Sequence, residues 1–316
     1  MEEMLIASRL RHGLAAAFVG LVVLASPARP AAKLRVLTTV YPLQEFAARV
    51  AGERGDVELL LPPGAGPHTW QPRPGDLMRL AKSDLVLAVG AGLEPWLPGL
   101  VRGIAPSRVK VVDVSEGLPL LAAAEREGDE HPASAEERHG NYDPHIWLDF
   151  DLAARIVDRI ALALAEADPP GRDAFLDRAR SLKADLGALD QEFRTGLAGC
   201  AGRSFLVAGH AAFAYLARRY GLTQVALYGP SPDSQPRPRA VVEVVEQARR
   251  EGARTVFYET SVAPDLARAI AREIGARTLA LNAGHNPTRA ELMQGRGFFA
   301  IMRTNLERLR DGLGCR

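Results

Sequence analysis

Residues 34–61 read "LRVLTTVYPLQEFAARVAGERGDVELLL" and contain two apolar runs on either side of a helical segment. The first run, residues 34–43, is rich in β-branched residues, which is typical of a buried strand. The segment "LQEFAARVAG" has helical spacing and ends at Gly52, and "DVELLL" then forms a second strand. Strand, helix and strand in this order predict two parallel strands joined by a crossover helix.

The same alternation continues on both sides of a long central helix. Strands and helices alternate up to about residue 121 and again from residue 203. Residues 172–197 carry one apolar stripe at spacings of three, four and seven, which predicts a single helix about 39 Å long. The stripe consists of Phe175, Leu182, Leu186, Leu189, Phe193 and Leu197. We therefore predict an α/β fold with two lobes, each with its own core and a mostly parallel sheet flanked by helices, joined by one rigid helix.

The predicted boundaries place an N-terminal lobe at residues 33–168, the linking helix at 169–198 and a C-terminal lobe at 199–316. One segment of the first lobe, residues 122–141, is acidic and poor in large apolar residues, so we predict a mobile loop there. Its His131 and His139 lie beside several carboxylates. Such a loop could hold metal weakly, but a solvated loop is the favoured interpretation.

The first 32 residues are typical of an export signal. Arg9 and Arg11 precede the short apolar run "GLAAAFVGLVVLASP", and small residues follow, so cleavage is expected near Ala28 or Ala32. The run is shorter than the roughly 20 residues that a membrane span needs. No cysteine stands directly after this run, so a bacterial lipid anchor is not expected. The mature chain is predicted to be periplasmic, with no membrane span.

Composition limits the function classes. The chain has 39 basic and 38 acidic residues, so no basic field for nucleic acid exists. The two cysteines, Cys200 and Cys315, stand before the first strand of the second lobe and after its last helix. They form either one disulfide, which export permits, or two unpaired thiols, and the disulfide is the favoured interpretation.

Four of the seven histidines follow predicted strands, two in each half of the chain. They are His68 in "GAGPHTWQP", His145 in "YDPHIWLD", His210 in "VAGHAAFAY" and His285 in "NAGHNPT". Ligands of open α/β sheets bind at the carboxyl ends of strands, and neutral imidazole is a good zinc ligand. Each histidine alone is equally well explained as a buried structural residue. Together they predict a metal site in a cleft between the lobes.

Several segments resemble one known family. They are "PHTWQPRPGDL", "SDLVLAVGAGLEPWL", "DPHIWLD", "GHAAFAYLARRYGL", "VFYETSVAPDLARAIAREIG" and "MRTNLERL". From about residue 34 onward the chain is similar to the metal-binding receptors of bacterial ABC importers, the cluster A-I solute-binding proteins, and most like the periplasmic zinc-uptake members. The resemblance implies a monomeric receptor that is not an enzyme, with a membrane permease as partner. It also implies His68, His145 and His210 as ligands of a transported Zn²⁺.

The last strand departs from the family pattern. The family usually has an aspartate there, whereas this chain has Asn282 in "LNAGHNPT". His285, three residues further on in a loop that Gly284 makes flexible, is the favoured fourth ligand. Asn282 is its rival, and water or a more distant carboxylate is the third alternative. His285 is equally well explained as a surface turn residue that takes no part in the site.

Four other functions fit the sequence less well. A manganese receptor of the same family would use more carboxylate oxygen than three imidazoles supply. A zinc hydrolase would need a general base, for which Glu259 is the one candidate, although it is better explained as a residue that supports a ligand. "GAGLEP" lacks the third glycine of a dinucleotide-binding loop. A surface adhesin is supported by no repeat or anchor.

Overall fold

The computed structural model describes residues 33–104, 109–123, 142–227, 229, 238–260 and 262–316. The predicted export signal therefore lies outside the described residues. So do residues 124–141, which include His131 and His139, so the predictions for that loop are untested. None of the described helices is long and apolar enough to cross a membrane.

The first lobe is built on a four-stranded parallel sheet with the order β2-β1-β3-β4. Its strands are β1 (Leu34–Thr38), β2 (Gly55–Leu59), β3 (Leu85–Ala88) and β4 (Lys110–Asp113). Its helices are α1 (Tyr41–Ala51), α2 (Pro74–Lys82), α3 (Leu97–Arg102) and α4 (Phe150–Ala167). The opening βαβ unit is confirmed, because β1 and β2 pair in parallel with α1 between them.

A single long helix, α5 (Arg172–Ala198), leads to the second lobe. That lobe repeats the topology of the first, with the parallel order β6-β5-β7-β8. Its strands are β5 (Ser204–Val207), β6 (Thr223–Ala226), β7 (Thr255–Glu259) and β8 (Arg277–Leu281). Its helices are α6 (Ala214–Arg219), α7 (Pro238–Arg250), α8 (Asp265–Ile274), α9 (Arg289–Met293) and α10 (Phe298–Leu313). The predicted two-lobe α/β fold is thus confirmed.

The hydrophobic core departs from the prediction of one separate core per lobe. One face of each sheet does pack on a cluster of its own. The other faces share a single core that runs through both lobes, because α5 buries its apolar stripe along its whole length. Phe46 of α1 and Phe298 of α10 meet edge to face across this core, with ring centroids 5.1 Å apart. The two lobes are therefore joined by packing as well as by the chain.

Cys200, just after α5, and Cys315, just after α10, form a disulfide. The bridge ties the last helix to the beginning of the second lobe. Next to it, Gly202 N–H donates to the carbonyl of Leu313 at 3.1 Å, so the C-terminal end of α10 is also held by backbone hydrogen bonds.

Removing this disulfide is expected to destabilise the protein strongly. The bridge joins residues 115 positions apart, and closing a loop of that length stabilises a folded chain by roughly 4–5 kcal/mol in the chain-entropy model. In a urea titration, the free energy of unfolding of the double variant Cys200→Ser/Cys315→Ser should be lower than that of the wild type by this amount. Wild-type protein that is reduced before the titration is the control, and its unfolding midpoint should equal that of the double variant. An unchanged midpoint in either sample would contradict the prediction.

Candidate metal centre

His68, His145 and His210 lie together between the two lobes. One ring nitrogen from each lies within 4.8 Å of those from the other two, and the three ring centroids are 5.2–5.7 Å apart. His68 is in the loop between β2 and α2, and His210 follows β5. His145 precedes the short 3₁₀ turn Ile146–Leu148 that leads into α4. The prediction that His145 follows a strand is therefore wrong; the start of a helix, not the end of a strand, places it in the cleft.

The distance between two of these nitrogens fits a tetrahedral metal. Nε2 of His145 and Nε2 of His210 are 3.3 Å apart. Zinc–nitrogen bonds of about 2.0–2.1 Å give a tetrahedron with an edge of about 3.3–3.4 Å. Nε2 of His68 is also buried, and no hydrogen bond satisfies it. All three side chains are buried, so a small cation between them would satisfy nitrogens that solvent does not reach.

Carboxylates orient two of the three rings. Oδ1 of Asp143 lies 2.7 Å from Nδ1 of His145 and also accepts the backbone N–H of His145 at 2.9 Å. Oε1 of Glu259, at the end of β7, contacts Nδ1 of His210. A proton on Nδ1 that is shared with a carboxylate leaves the lone pair on Nε2, which is the nitrogen that faces the other rings. These contacts select the tautomer that binds metal.

The electrostatics of the site favour neutral imidazoles. Burial, reinforced by the neighbouring histidines, holds the pKa values of His68 and His145 well below their ordinary range. Burial also raises the pKa of the Asp143 carboxyl to about 7. Burial opposes ionisation of Glu259 as well, but His210 and the other imidazoles outweigh it and hold its pKa below the usual value. At neutral pH His68 and His145 therefore need not lose a proton before they bind a cation.

His285 lies close to this site but outside the group of three. Its side chain is buried, its Nδ1 has no hydrogen bond, and burial lowers its pKa to about 4. Its backbone is anchored to the first lobe, because Tyr41 N–H donates to the carbonyl of His285 at 2.9 Å. The next residue, Asn286, donates to the carbonyls of Pro62 and Ala65 at 2.7 and 2.8 Å. These hydrogen bonds hold the backbone on both sides of the His285 side chain, so they oppose the short swing of the loop that the sequence suggested.

Asn282 uses its amide within its own loop. Oδ1 accepts the N–H of Gly284 at 2.8 Å, and Nδ2 donates to Oε1 of Glu291 at 3.0 Å. An aspartate at this position could not donate to Glu291. The bond to Gly284, whose φ is 75°, stabilises a left-handed turn that suits glycine. Asn282 therefore shapes the turn that carries His285.

Only some of the supporting residues are recognisable in the sequence. Glu259 is predicted there as a supporting residue or a catalytic base, and the structure places it against the ring of His210. Of the two aspartates beside His145, Asp143 contacts the ring, whereas Asp149 accepts the N–H groups of Asp151 and Leu152 and caps α4. The only sequence signal for Asp143 is its position two residues before a histidine, where one carboxylate can reach both the N–H and the ring.

Comparison with known proteins identifies the family. The model of the family described as "ZnuA: Zinc-uptake complex component A periplasmic" matches residues 36–312. The chain belongs to the ZnuA family.

Individual relatives agree with this assignment. The high-affinity zinc uptake system protein ZnuA of Bacillus subtilis is 32% identical over 281 residues, which cover 89% of this chain and 88% of that protein. The zinc-binding lipoprotein AdcA of Streptococcus pneumoniae is 32% identical over 279 residues, but these cover only 56% of its length. The crystal structure of the Zn(II)-bound ZnuA-like domain of AdcA superimposes with a TM-score of 0.74 at 30% identity, covering 89% of this chain and 99% of that one.

The orienting role of Asp143 can be tested by mutation. Asp143→Ala removes the acceptor at Nδ1 of His145, and losing such a contact typically lowers metal affinity about 10- to 100-fold. Competition with a chromophoric chelator for Zn²⁺ measures the loss. Asp143→Asn keeps an oxygen at this position and should recover part of the lost affinity. Asp151→Ala, on the exposed side of α4, is the matched control. Equal affinities in Asp143→Ala and the control would refute the role.

Proposed function

We propose that this protein is an extracytoplasmic zinc receptor, not an enzyme, that captures Zn²⁺ between its lobes and delivers it to the permease of an ABC importer. The observation that carries the proposal is the convergence of three buried imidazoles from both lobes, two of them oriented by carboxylates. Membership of the ZnuA family supports the same role, and relatives in it are named for zinc uptake or zinc binding.

The donor set favours zinc over manganese. Asp143 and Glu259 face the Nδ1 atoms and leave the Nε2 atoms of His145 and His210 to the metal. Imidazole suits zinc, whereas manganese prefers carboxylate, carbonyl and water oxygens. Copper and nickel also bind imidazole well, so selection among these metals depends on geometry and supply.

The remaining parts of the proposal concern organisation and location. Residues 1–32 serve as the export signal, and the mature receptor works as a periplasmic monomer. Its lobes are residues 33–168 and 199–316, with the linking segment at 169–198. The family's role as a component of a zinc-uptake complex supports a permease as partner.

The decisive experiment compares zinc-dependent melting of wild type and His145→Ala. A ligand at one hundred times its Kd stabilises a folded protein by about 2.7 kcal/mol, so Zn²⁺ should raise the melting temperature of the wild type and a chelator should reverse the rise. His145→Ala should lose most of it. Ca²⁺, which prefers oxygen ligands, is the control cation and should have no effect.

Metal analysis should find one zinc per wild-type chain. A variant that is stabilised as much as wild type would show that the site is misplaced.

We further propose that His285 is the fourth ligand, through rotation of its side chain on an anchored backbone. Its unsatisfied, buried Nδ1 and its position beside the other imidazoles support this assignment. The amide of Asn282, in contrast, is already engaged by Gly284 and Glu291.

Chelator competition with single variants tests the fourth position. His285→Ala should lower zinc affinity at least about tenfold, or about 1.4 kcal/mol, because it removes a direct ligand. Asn282→Ala is the matched comparison from the same loop and should have the smaller effect. If His285→Ala binds zinc within about twofold of wild type, a water molecule or another group completes the coordination instead.

A further inference from the structure

His68 is held differently from the other two histidines of the site. Asp143 and Glu259 contact the Nδ1 atoms of His145 and His210, but the hydrogen bonds of the described residues place no carboxylate on the His68 ring. His68 also lies in the loop between β2 and α2, without the regular backbone hydrogen bonds of a helix or strand. Its ring direction must therefore be set through the backbone and its packing.

Trp96 contacts this loop on both sides of His68. Its indole Nε1–H donates to the carbonyl of Pro67, the residue before His68, at 2.8 Å. Its ring meets the ring of Trp70, two residues after His68, edge to face, with centroids 4.7 Å apart and an interplanar angle of 84°. Trp96 is itself buried. We propose that Trp96 is a positioning residue that fixes the direction of the His68 ring, an inference that rests on the proposed metal site.

The turn before Trp96 is unusually constrained. Gly90, Ala91 and Gly92 all have positive φ angles, of 76°, 51° and 85°, and Ala91 is the one residue other than glycine with this conformation in the described part of the chain. A Cβ at Gly90 would lie 2.1 Å from the carboxylate oxygens of Asp113, so only glycine fits there. Such a backbone conformation persists only where its surroundings hold it.

Hydrogen bonds to Glu94 keep this turn in place. Its buried carboxylate accepts the N–H groups of Val89 and Gly90 at 2.8 and 3.0 Å. It also accepts the hydroxyl of Thr39, which directly follows β1. The turn is thereby fixed to the carboxyl ends of β1 and β3. This arrangement explains "GAGLEPW" in terms of the site: the glycines and Glu94 build a rigid turn, and the turn presents Trp96 to the loop that carries His68.

Mutation of Trp96 tests the role while keeping an aromatic ring. Trp96→Phe removes the indole N–H and should lower zinc affinity about five- to tenfold in chelator competition, with little change in the melting temperature of the metal-free protein. Trp70→Phe is the matched control, because the described residues offer its N–H no hydrogen-bond partner, and its affinity should equal that of wild type.

A double-mutant cycle separates positioning from general damage to the fold. If Trp96 acts through His68, then Trp96→Phe has no further effect on zinc affinity in a His68→Ala background, measured with a weaker chelator. In a His210→Ala background the five- to tenfold loss should persist. Equal losses in both backgrounds, or wild-type affinity in Trp96→Phe alone, would overturn the proposal. If His68→Ala itself binds zinc as wild type does, the proposed function fails instead.

A second variant covers the case in which Trp96→Phe does not fold. Trp70→Leu removes the edge-to-face contact and leaves the hydrogen bond to Pro67 intact. It should lower zinc affinity about two- to threefold, and this loss should disappear in the His68→Ala background. A loss that is unchanged without His68 would also overturn the proposal.

Discussion

Two imidazole nitrogens that face each other at 3.3 Å in a buried cleft impose the main constraint on this protein. Both side chains are buried, and when the carboxylates hold the protons on the Nδ1 atoms, two Nε2 lone pairs face each other with no proton between them, which is costly. A cation bound between the two nitrogens would remove this unfavourable interaction. Asp143 and Glu259 hold the Nδ1 sides of His145 and His210, so that the lone pairs on the other sides remain available.

The two lobes must keep their relative position for this arrangement to exist. The shared core along α5 joins the lobes, because side chains of both pack on its stripe. Hydrogen bonds between residues of the two lobes also hold them in one orientation across the cleft. The indole of Trp147, two residues after His145, donates to the carbonyl of Ala283 at 2.7 Å, and Asn286 donates to two carbonyls of the first lobe. The shared core and these hydrogen bonds together join the two lobes around the site.

A partly buried ion-pair network connects the segments that carry His145 and His210. Arg219, at the end of α6, donates to Asp149 at 2.8 Å and to Asp190 of α5 at 2.5 Å. Asp190 also accepts the hydroxyl of Tyr220 at 2.7 Å. Buried ion pairs contribute little net stability, because desolvation offsets their attraction. Here they mainly fix positions, because the guanidinium of Arg219 links α6, which follows His210, to the start of α4 and to α5.

The sequence by itself determined the repeated strand–helix units and the single long helix, because these depend on local periodicity. It also pointed to the histidines that converge: His68 and His210 follow strands, where ligands of parallel sheets collect, whereas His145, which precedes a helical turn, was indicated by the resemblance to the family. The structure alone decided which polar residues support them. Asp143, Asp149 and Glu259 have the same chemistry in the sequence, and only their positions in the fold separate ring contact from helix capping. The roles of Trp96 and of the anchored loop at His285 also required tertiary structure, because Pro67 lies 29 residues from Trp96 along the chain and Pro62 lies 224 residues from Asn286.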